Sequence, residues 1–400
     1  MRIGYVSHYA ADDIRGWSGT GYHIADCLKR DGSSVTSIGP LTIPRHPVNV
    51  AQYLMHEKLL GRRDHPQRDP GLLKNWAKQI HAKLATVDVD ILVGPGGLPL
   101  TYVESDLPMA IWTDCTFASL EGYYAKYTNM SERTRRNGHE AERRVLERAD
   151  VIVMACEWAA RSAIDDYGTD PAKVHVVPFG ANLPVAVDAA GAMALAEARP
   201  EDTCELLFLG VDWERKGGDI AMQVAEQLHA AGRNVRLTVV GVDPPISDPP
   251  PWLRSLGFIA KNTDEGLARL QQLLGESHFL LLPTQAECFG IVFAEAAAHA
   301  LPSLAPNTGG VPNALIDGRN GHLFELSEPA EAWVDRIASL LDDRDAYLDL
   351  CRRSRATYED TLNWDVCGAR VHELLRAQLQ SPGVPESSQP DGAAPAAPRP

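Results

Sequence analysis

The stretch Thr284-Gln-Ala-Glu-Cys-Phe-Gly-Ile-Val-Phe-Ala-Glu-Ala296 follows directly on the apolar run His278-Phe-Leu-Leu-Leu-Pro283, and its reading decides the fold. A short unbroken apolar run is a strand buried on both faces, as in a parallel sheet covered by helices. A loop, Gly290 and a helical pattern from 290 to 300 come next. Strand, loop, glycine and helix in that order set free N–H groups and the positive end of a helix at the carboxyl edge of a sheet, where a phosphate can sit. Glu287 precedes the helix and Glu295 lies within it, at most about 12 Å away at the helical rise. That is too far for the two carboxylates to share one proton transfer. Each suits a pair of sugar or ribose hydroxyls, because an ionised carboxylate accepts from both hydroxyls of a diol. The competing reading is chance, since glutamates eight apart also occur in helices that bind nothing.

Outward from this stretch the same alternation repeats. Strands are expected at Arg2 to Ser7, Val35 to Gly39, Ile91 to Gly94, Met109 to Thr113, Val151 to Ala155 and Val174 to Pro178. A second series is expected at Leu206 to Gly210, Val235 to Gly241, His278 to Pro283 and Pro302 to Ala305, with helices near 217–232, 263–275 and 290–300. Two successive α/β units, each a doubly wound parallel sheet in the Rossmann manner, make a two-lobed molecule with a central cleft. The Ala-rich segment 183–203 reads as the connection between an amino-terminal lobe, 1–182, and a carboxy-terminal lobe, 204–362. Residues 363–380 read as a helix, and 381–400, with six prolines, as a disordered tail.

Charge narrows the partners. Lys+Arg number 38 and Asp+Glu 53, a net charge of −15, which disfavours nucleic acid. Residues 1–180 carry 21 basic and 22 acidic side chains, so the remainder, with 17 and 31, holds nearly all the acidity. Seven cysteines at single, unpaired spacings fit neither a disulfide framework nor a zinc site, and a reducing cytoplasm is the expected setting. The start MRIGYVSHYA enters a strand pattern without a charged-then-apolar leader, and no run approaches the 18 apolar residues of a membrane span. The arginine-rich helix ERTRRNGHEAERRVLERA (132–149) would suit a membrane surface. Its glutamates at 132/136 and 140/144 spacing favour a salt-bridged, solvated helix instead, so peripheral membrane contact has little support.

Past Ala296 the chain continues Leu301-Pro-Ser-Leu-Ala-Pro-Asn-Thr-Gly-Gly-Val-Pro-Asn-Ala-Leu-Ile-Asp-Gly-Arg-Asn-Gly321, and earlier it carries Leu207-Phe-Leu-Gly-Val-Asp-Trp-Glu-Arg-Lys-Gly-Gly218. Together with the spaced glutamates these segments resemble the glycosyltransferase family 4 group, retaining enzymes of the GT-B fold. The resemblance implies transfer of a sugar from a nucleotide diphosphate sugar to a hydroxyl acceptor, in carbohydrate biosynthesis. That acceptor would be a glycan, a lipid-linked sugar or a small metabolite. It implies Glu287 on the sugar hydroxyls, Phe289, Gly290 and Ile291 around the phosphate, Glu295 on the ribose, and Lys216 and Arg215 on the leaving diphosphate. The family often has its arginine where this chain has Val211, so Arg215 is the expected substitute; a solvent-exposed basic pair is the alternative. Trp17-Ser-Gly-Thr-Gly21 resembles the glycine-rich loop of the first lobe, which makes Gly19 and Gly21 donor-binding candidates against an ordinary turn. Asp114 stands where related enzymes face the sugar, or else caps the following helix. The helix from Trp364 is expected to cross back to the first lobe. No cofactor and no obligatory metal are expected, because His8, His139 and His175 do not form a metal-binding spacing and Asp12-Asp13 is no nucleotide-sugar metal motif at a strand end. The long loop Asp243 to Trp252 departs from the compact turn of many relatives and leaves the base open. The alternatives are a GT-B relative of another reaction, an epimerase or a disaccharide phosphorylase, or a non-catalytic sugar-nucleotide-binding protein.

Overall fold

The computed structural model describes residues 1–14, 16–43, 55, 58, 61–183 and 187–380. The expected tail, 381–400, and residues 184–186 of the expected connection lie outside the described residues.

The first lobe runs β1 (Arg2–Tyr5), α1 (Thr20–Cys27), β2 (Ser34–Ser37), α2 (Pro70–Leu84), β3 (Ile91–Gly94), β4 (Met109–Thr113), α3 (Phe117–Leu120), α4 (Glu132–Arg148), β5 (Val151–Met154), α5 (Glu157–Asp165) and β6 (Val174–Val176). Its sheet is parallel throughout, in the order β2-β1-β3-β4-β5-β6. The second lobe runs α6 (Ala189–Glu197), β7 (Cys204–Leu209), α7 (Gly218–Ala230), β8 (Val235–Val240), β9 (Leu253–Ser255), α8 (Asp264–Glu276), β10 (Phe279–Leu281), α9 (Ile291–Ala298), β11 (Ser303–Pro306), α10 (Val311–Ala314), β12 (Gly321–Phe324), α11 (Ala330–Asp342) and α12 (Arg344–Thr361). Its sheet is likewise parallel, in the order β12-β11-β10-β7-β8-β9.

Both strand orders reverse direction at one point, between β1 and β3 in the first sheet and between β7 and β10 in the second. At such a point the loops leaving neighbouring strands turn to opposite faces and open a crevice at the carboxyl edge. The loops that carry Trp17 to Gly21, Arg215 and Lys216, and Thr284 to Gly290 all leave strands at these two crevices. An open cleft between the lobes is lined by Ala10, Asp12, Asp13 and Ile14 on one side and Asn262 on the other.

The strands are apolar because helices cover both faces. Phe279, Leu280, Leu281 and Leu282 are wholly buried, each worth about 1.5 to 3 kcal/mol relative to exposure. The connection is less featureless than its composition suggests: α6 lies in it, and Arg199 beyond α6 is buried. The Arg199 guanidinium donates to the carbonyls of Gly275 (3.1 Å), His299 (3.1 Å) and Ala300 (3.1 Å) and to the Tyr347 hydroxyl (2.7 Å).

The last described helix, α13 (Trp364–Gln380), packs on α1 and on β5 of the first lobe. Trp364 stacks on His23 and Phe179 and donates from Nε1 to Asn182 Oδ1 at 3.1 Å. The Asn182 amide in turn donates to the Ser18 carbonyl at 2.9 Å and to Thr20 Oγ1 at 3.0 Å. The glycine-bearing loop of the first lobe, the last residue of that lobe and α13 thus form one hydrogen-bonded unit. In α4, Arg144 takes Glu140 as the spacing predicts, whereas Glu132 goes to Arg135 and not to Arg136. No described helix is long and apolar enough to cross a membrane.

Candidate active site

The second lobe brings Lys216, Arg215 and Glu287 together. Lys216 ends the loop after β7, where Gly217, at φ +74°, turns the chain into α7. Its Nζ donates to Glu287 Oε2, in direct contact. Arg215 lies 3.6 Å from the same oxygen, and its guanidinium donates to the Ala286 carbonyl at 3.0 Å. Both Lys216 and Glu287 are largely buried, with side chains 9% and 13% exposed. Two cations therefore share one carboxylate oxygen at the second crevice. An anion entering here meets positive charge already fixed in place, where exclusion of water magnifies its effect. Val211, the position where the resemblance leads one to expect an arginine, is 67% exposed, and the guanidinium that does approach Glu287 is that of Arg215.

Gly290 adopts φ +87° and stands at the start of α9 with no side chain capping it. The first N–H groups of that helix are the free donors expected of a phosphate cradle. Phe289 and Ile291 flank it. The Phe289 side chain is buried edge-on against Phe179 of the first lobe, so what this residue offers a ligand is main chain. Helix α9 is apolar nearly all round and buried, and Glu295 is its one charged residue, 1% exposed. A buried carboxylate needs a partner. Lys261, in the loop after β9, supplies it, with Nζ against Glu295 Oε1. Glu287 and Glu295 are thus held by different cations at separate positions, in keeping with two carboxylates that do not act as one pair.

The first lobe closes the site from the other side. Tyr123 and Tyr124 follow α3 and reach across the cleft. The Tyr123 hydroxyl accepts the Glu287 N–H at 2.8 Å, and the Tyr124 hydroxyl accepts the Cys288 N–H at 3.1 Å. The Arg215 guanidinium lies 5.2 Å above the Tyr124 ring. Neither tyrosine nor Lys261 was singled out by sequence reasoning. All three contacts join segments far apart in the chain, and no local spacing announces them.

Asp114 leaves the carboxyl end of β4 towards this seam. Burial pushes its carboxyl up to about 6, and the charge of Glu287 adds to the shift. The reading of Asp114 as a helix cap is corrected: Thr116 caps α3 through the Ser119 N–H, with Ser119 Oγ returning the bond to the Thr116 N–H. Asp114 is left without that structural duty.

Gly19 and Gly21 lie at the start of α1. Gly19 takes φ +87°, after Trp17 and Ser18 at φ 49° and 55°, an unusual left-handed pair of non-glycine residues. A Cβ at Gly21 would lie 2.2 Å from the Tyr9 hydroxyl. Backbone shape and close packing account for both glycines, and the structure brings neither into contact with Lys216 or Glu287.

Three of the seven cysteines, scattered in sequence, converge at this seam. Cys156 Sγ donates to the Cys288 carbonyl at 3.3 Å, and Cys115 lies beside Cys288. The hydrogen bond with Cys288, then burial, raises the Cys115 thiol well above its ordinary range.

Comparison with known proteins agrees with this architecture. Residues 6–184 match the family model described as Glycosyltransferase Family 4, and residues 203–343 match that described as Glycosyl transferases group 1. The D-inositol 3-phosphate glycosyltransferase of Xylanimonas cellulosilytica is 31% identical over 250 residues, 58% of this chain and 58% of the relative. That of Paenarthrobacter aurescens is 26% identical over 325 residues, 77% and 76% of the two chains. The chain spans 58%, 49% and 62% of the length of three such curated relatives. Among solved structures, the sucrose-phosphate synthase of Thermosynechococcus elongatus superposes with a TM-score of 0.68 at 18% identity, covering 94% of this chain and 99% of the other. Anabaena Alr3699/HepE in complex with UDP-glucose superposes with a TM-score of 0.61 at 13% identity, covering 94% and 100%. With both lobes matched in order and the two parallel sheets facing one cleft, the chain belongs to the family 4, group 1 glycosyltransferases and has the GT-B fold.

Proposed function

We propose that this chain is a retaining glycosyltransferase that moves a sugar from a nucleoside diphosphate sugar to a hydroxyl acceptor. The observation that carries the reading is the shared contact of Lys216 and Arg215 with Glu287 at the second crevice, opposite Asp114. On donor binding the diphosphate takes over from the Glu287 carboxylate as partner of the two cations. The freed carboxylate then accepts hydrogen bonds from sugar hydroxyls. The main chain of Phe289, Gly290 and Ile291 cradles the phosphate, Glu295 receives the ribose hydroxyls with Lys261 beside it, and Asp114 faces the sugar from the first lobe.

As the bond from the anomeric carbon to the phosphate oxygen breaks, negative charge grows on the departing diphosphate. A fixed, buried charge there is worth up to about 10²- to 10³-fold in rate. The acceptor oxygen bonds to the anomeric carbon on the same face, and its proton passes to the leaving phosphate oxygen. No side-chain nucleophile enters this scheme. The donor-binding complexes of the Anabaena structural neighbour and the inositol phosphate acceptor named for the curated relatives suggest the kinds of ligand to try first. A cytoplasmic setting belongs to the same reading, with seven free thiols as its support.

The test is a panel of UDP, GDP, ADP and dTDP sugars, with thermal stabilisation as the first readout and transfer of labelled sugar to added polyols and glycans as the second. Epimer formation or phosphorolysis in place of transfer would replace this reading. Absence of both binding and hydrolysis across the panel would reject it. Product anomeric configuration, read by NMR, decides retention.

A further inference from the structure

Strand β4 ends next to Asp114 and Cys115, and the segment after β10 carries Cys288 over them from the other lobe. One carboxylate oxygen of Asp114 and the sulfur atoms of Cys115 and Cys288 all lie within 4.8 Å of one another. We propose that Asp114, Cys115 and Cys288 form a binding site for a thiophilic divalent cation, with Zn²⁺ as its natural occupant, spanning the seam between the lobes. The inference rests on these side chains and not on the transfer reaction; Asp114 enters it through one carboxylate oxygen, which leaves the other for the proposed sugar contact.

The donor set favours this class of ion. Two sulfurs with one carboxylate oxygen suit zinc and its tetrahedral relatives, whereas magnesium and calcium demand oxygen ligands. The spacing fits as well. Around a tetrahedral ion with sulfur ligands at about 2.3 Å, neighbouring sulfurs stand roughly 3.8 Å apart, so closing the site takes at most about 1 Å of side-chain movement. Three protein ligands leave a fourth position for water or for a hydroxyl from the cleft.

The main chain behind the ligands is already fixed by groups of the first lobe. Cys156 Sγ donates to the Cys288 carbonyl at 3.3 Å, lies 3.7 Å from the Asp114 carbonyl, and accepts the Ala159 N–H at 3.4 Å. Cys156 is thus a supporting group and is not counted among the ligands. Tyr124 holds the Cys288 N–H from the other side. Cys288 is 5% exposed, seated against Phe117, Leu120, Tyr127 and Met130 of the first lobe. Supports of this kind orient metal ligands and carry part of the affinity. Binding deprotonates both thiols, releasing two protons. The resulting net charge of the site, one negative unit, lies near Lys126 and Arg215, which both approach the Tyr124 ring.

The experiment titrates the whole reduced, chelator-stripped protein with Co²⁺ and then Zn²⁺. One equivalent of Co²⁺ should produce tetrahedral visible bands and a thiolate-to-cobalt charge-transfer band, and equimolar Zn²⁺ should erase both. Cys115→Ser and Cys288→Ser should each lose most of the charge-transfer intensity. Asp114→Asn, which keeps both sulfurs but loses the charged oxygen, should keep the band with weakened affinity. As a check that needs no variant, Zn²⁺ should slow alkylation of Cys115, mapped by mass spectrometry, at least tenfold. A charge-transfer band of full intensity in the Cys115→Ser/Cys288→Ser double variant overturns the proposal, as does unchanged Cys115 alkylation in saturating Zn²⁺.

Discussion

The Tyr123 hydroxyl, on the amino-terminal lobe, accepts the N–H of Glu287, on the carboxy-terminal lobe, at 2.8 Å and lies 3.1 Å from Thr308 Oγ1. One phenol oxygen thereby holds the segment that carries Glu287 against the opposite lobe. Replacing it with hydrogen leaves a largely buried N–H without its acceptor, at a cost of about 1 to 3 kcal/mol. Tyr123→Phe should lower kcat/KM about 5- to 100-fold while circular dichroism stays native. Wild-type kcat/KM in this variant would show that the bond contributes nothing to the working site.

Glu287 occupies the two cations that take the diphosphate in the proposed function. Glu287→Gln removes the competing charge while keeping the side chain's shape. The free nucleoside diphosphate, which lacks the sugar, should therefore bind about five- to tenfold more tightly, and sugar transfer should fall at least 100-fold. Calorimetric titration alongside steady-state kinetics separates the two effects. Weaker diphosphate binding together with slower transfer would contradict the exchange of partners at Lys216 and Arg215.

Lys216 and Arg215 differ in their setting. Lys216 is buried and contacts Glu287 directly, whereas Arg215 is 25% exposed and shares itself between Asp212, Ala286 and Glu287. Lys216→Ala should reduce kcat about 10²- to 10³-fold, and Arg215→Ala by a smaller factor, roughly tenfold. Equal losses, or the reverse order, would move the principal charge to Arg215.

Gly217 turns the chain from Lys216 into α7 at φ +74°, and a Cβ there would lie 1.9 Å from the Pro283 carbonyl oxygen. Both the backbone conformation and the contact exclude a side chain. Gly217→Ala should lower the melting temperature by several degrees, corresponding to about 2 kcal/mol or more. Native stability in a differential scanning measurement would mean that this turn yields easily.

His278 at the start of β10 accepts the Glu205 N–H at Nδ1 (3.1 Å) and pairs through Nε2 with the Pro200 carbonyl (2.9 Å). Burial, aided by the charge of Arg199, lowers its pKa to about 4. Between its ordinary value near 6.5 and about 4 the unfolded chain binds the extra proton and the folded chain does not. The stability contributed by neutral His278 is complete above that window and falls as the pH drops through it, by roughly 3 kcal/mol in all. In urea titrations from pH 7 to pH 4, the stability gap between the native protein and His278→Gln should narrow as the pH falls. A gap that stays constant with pH would rule out the shifted histidine as its source.

The sequence by itself determined the lobes and the local frame of the site. Ile91–Gly94 and Met109–Thr113 are strands as the apolar runs predict, and Thr284 to Ala296 is a loop entering a helix, because burial on both faces of a parallel sheet writes itself as continuous apolar sequence. The strands Leu253–Ser255 and Gly321–Phe324 were not legible. They are three- and four-residue edge strands, Arg254 and Ser255 are exposed, and neither strand carries an apolar run. Lys216, Glu287 and Gly290 could be read because each belongs to one strand-loop-helix unit. The tertiary structure alone decided that Tyr123 and Tyr124 hold the Glu287 segment, that Lys261 neutralises Glu295, that Thr116 rather than Asp114 caps α3, and that Cys115 meets Cys288. All but the cap are contacts between segments distant in the chain, and three of the four cross from one lobe to the other. Periodicity and spacing encode what a segment does with its neighbours in sequence, whereas the seam between two lobes is set by how their surfaces pack.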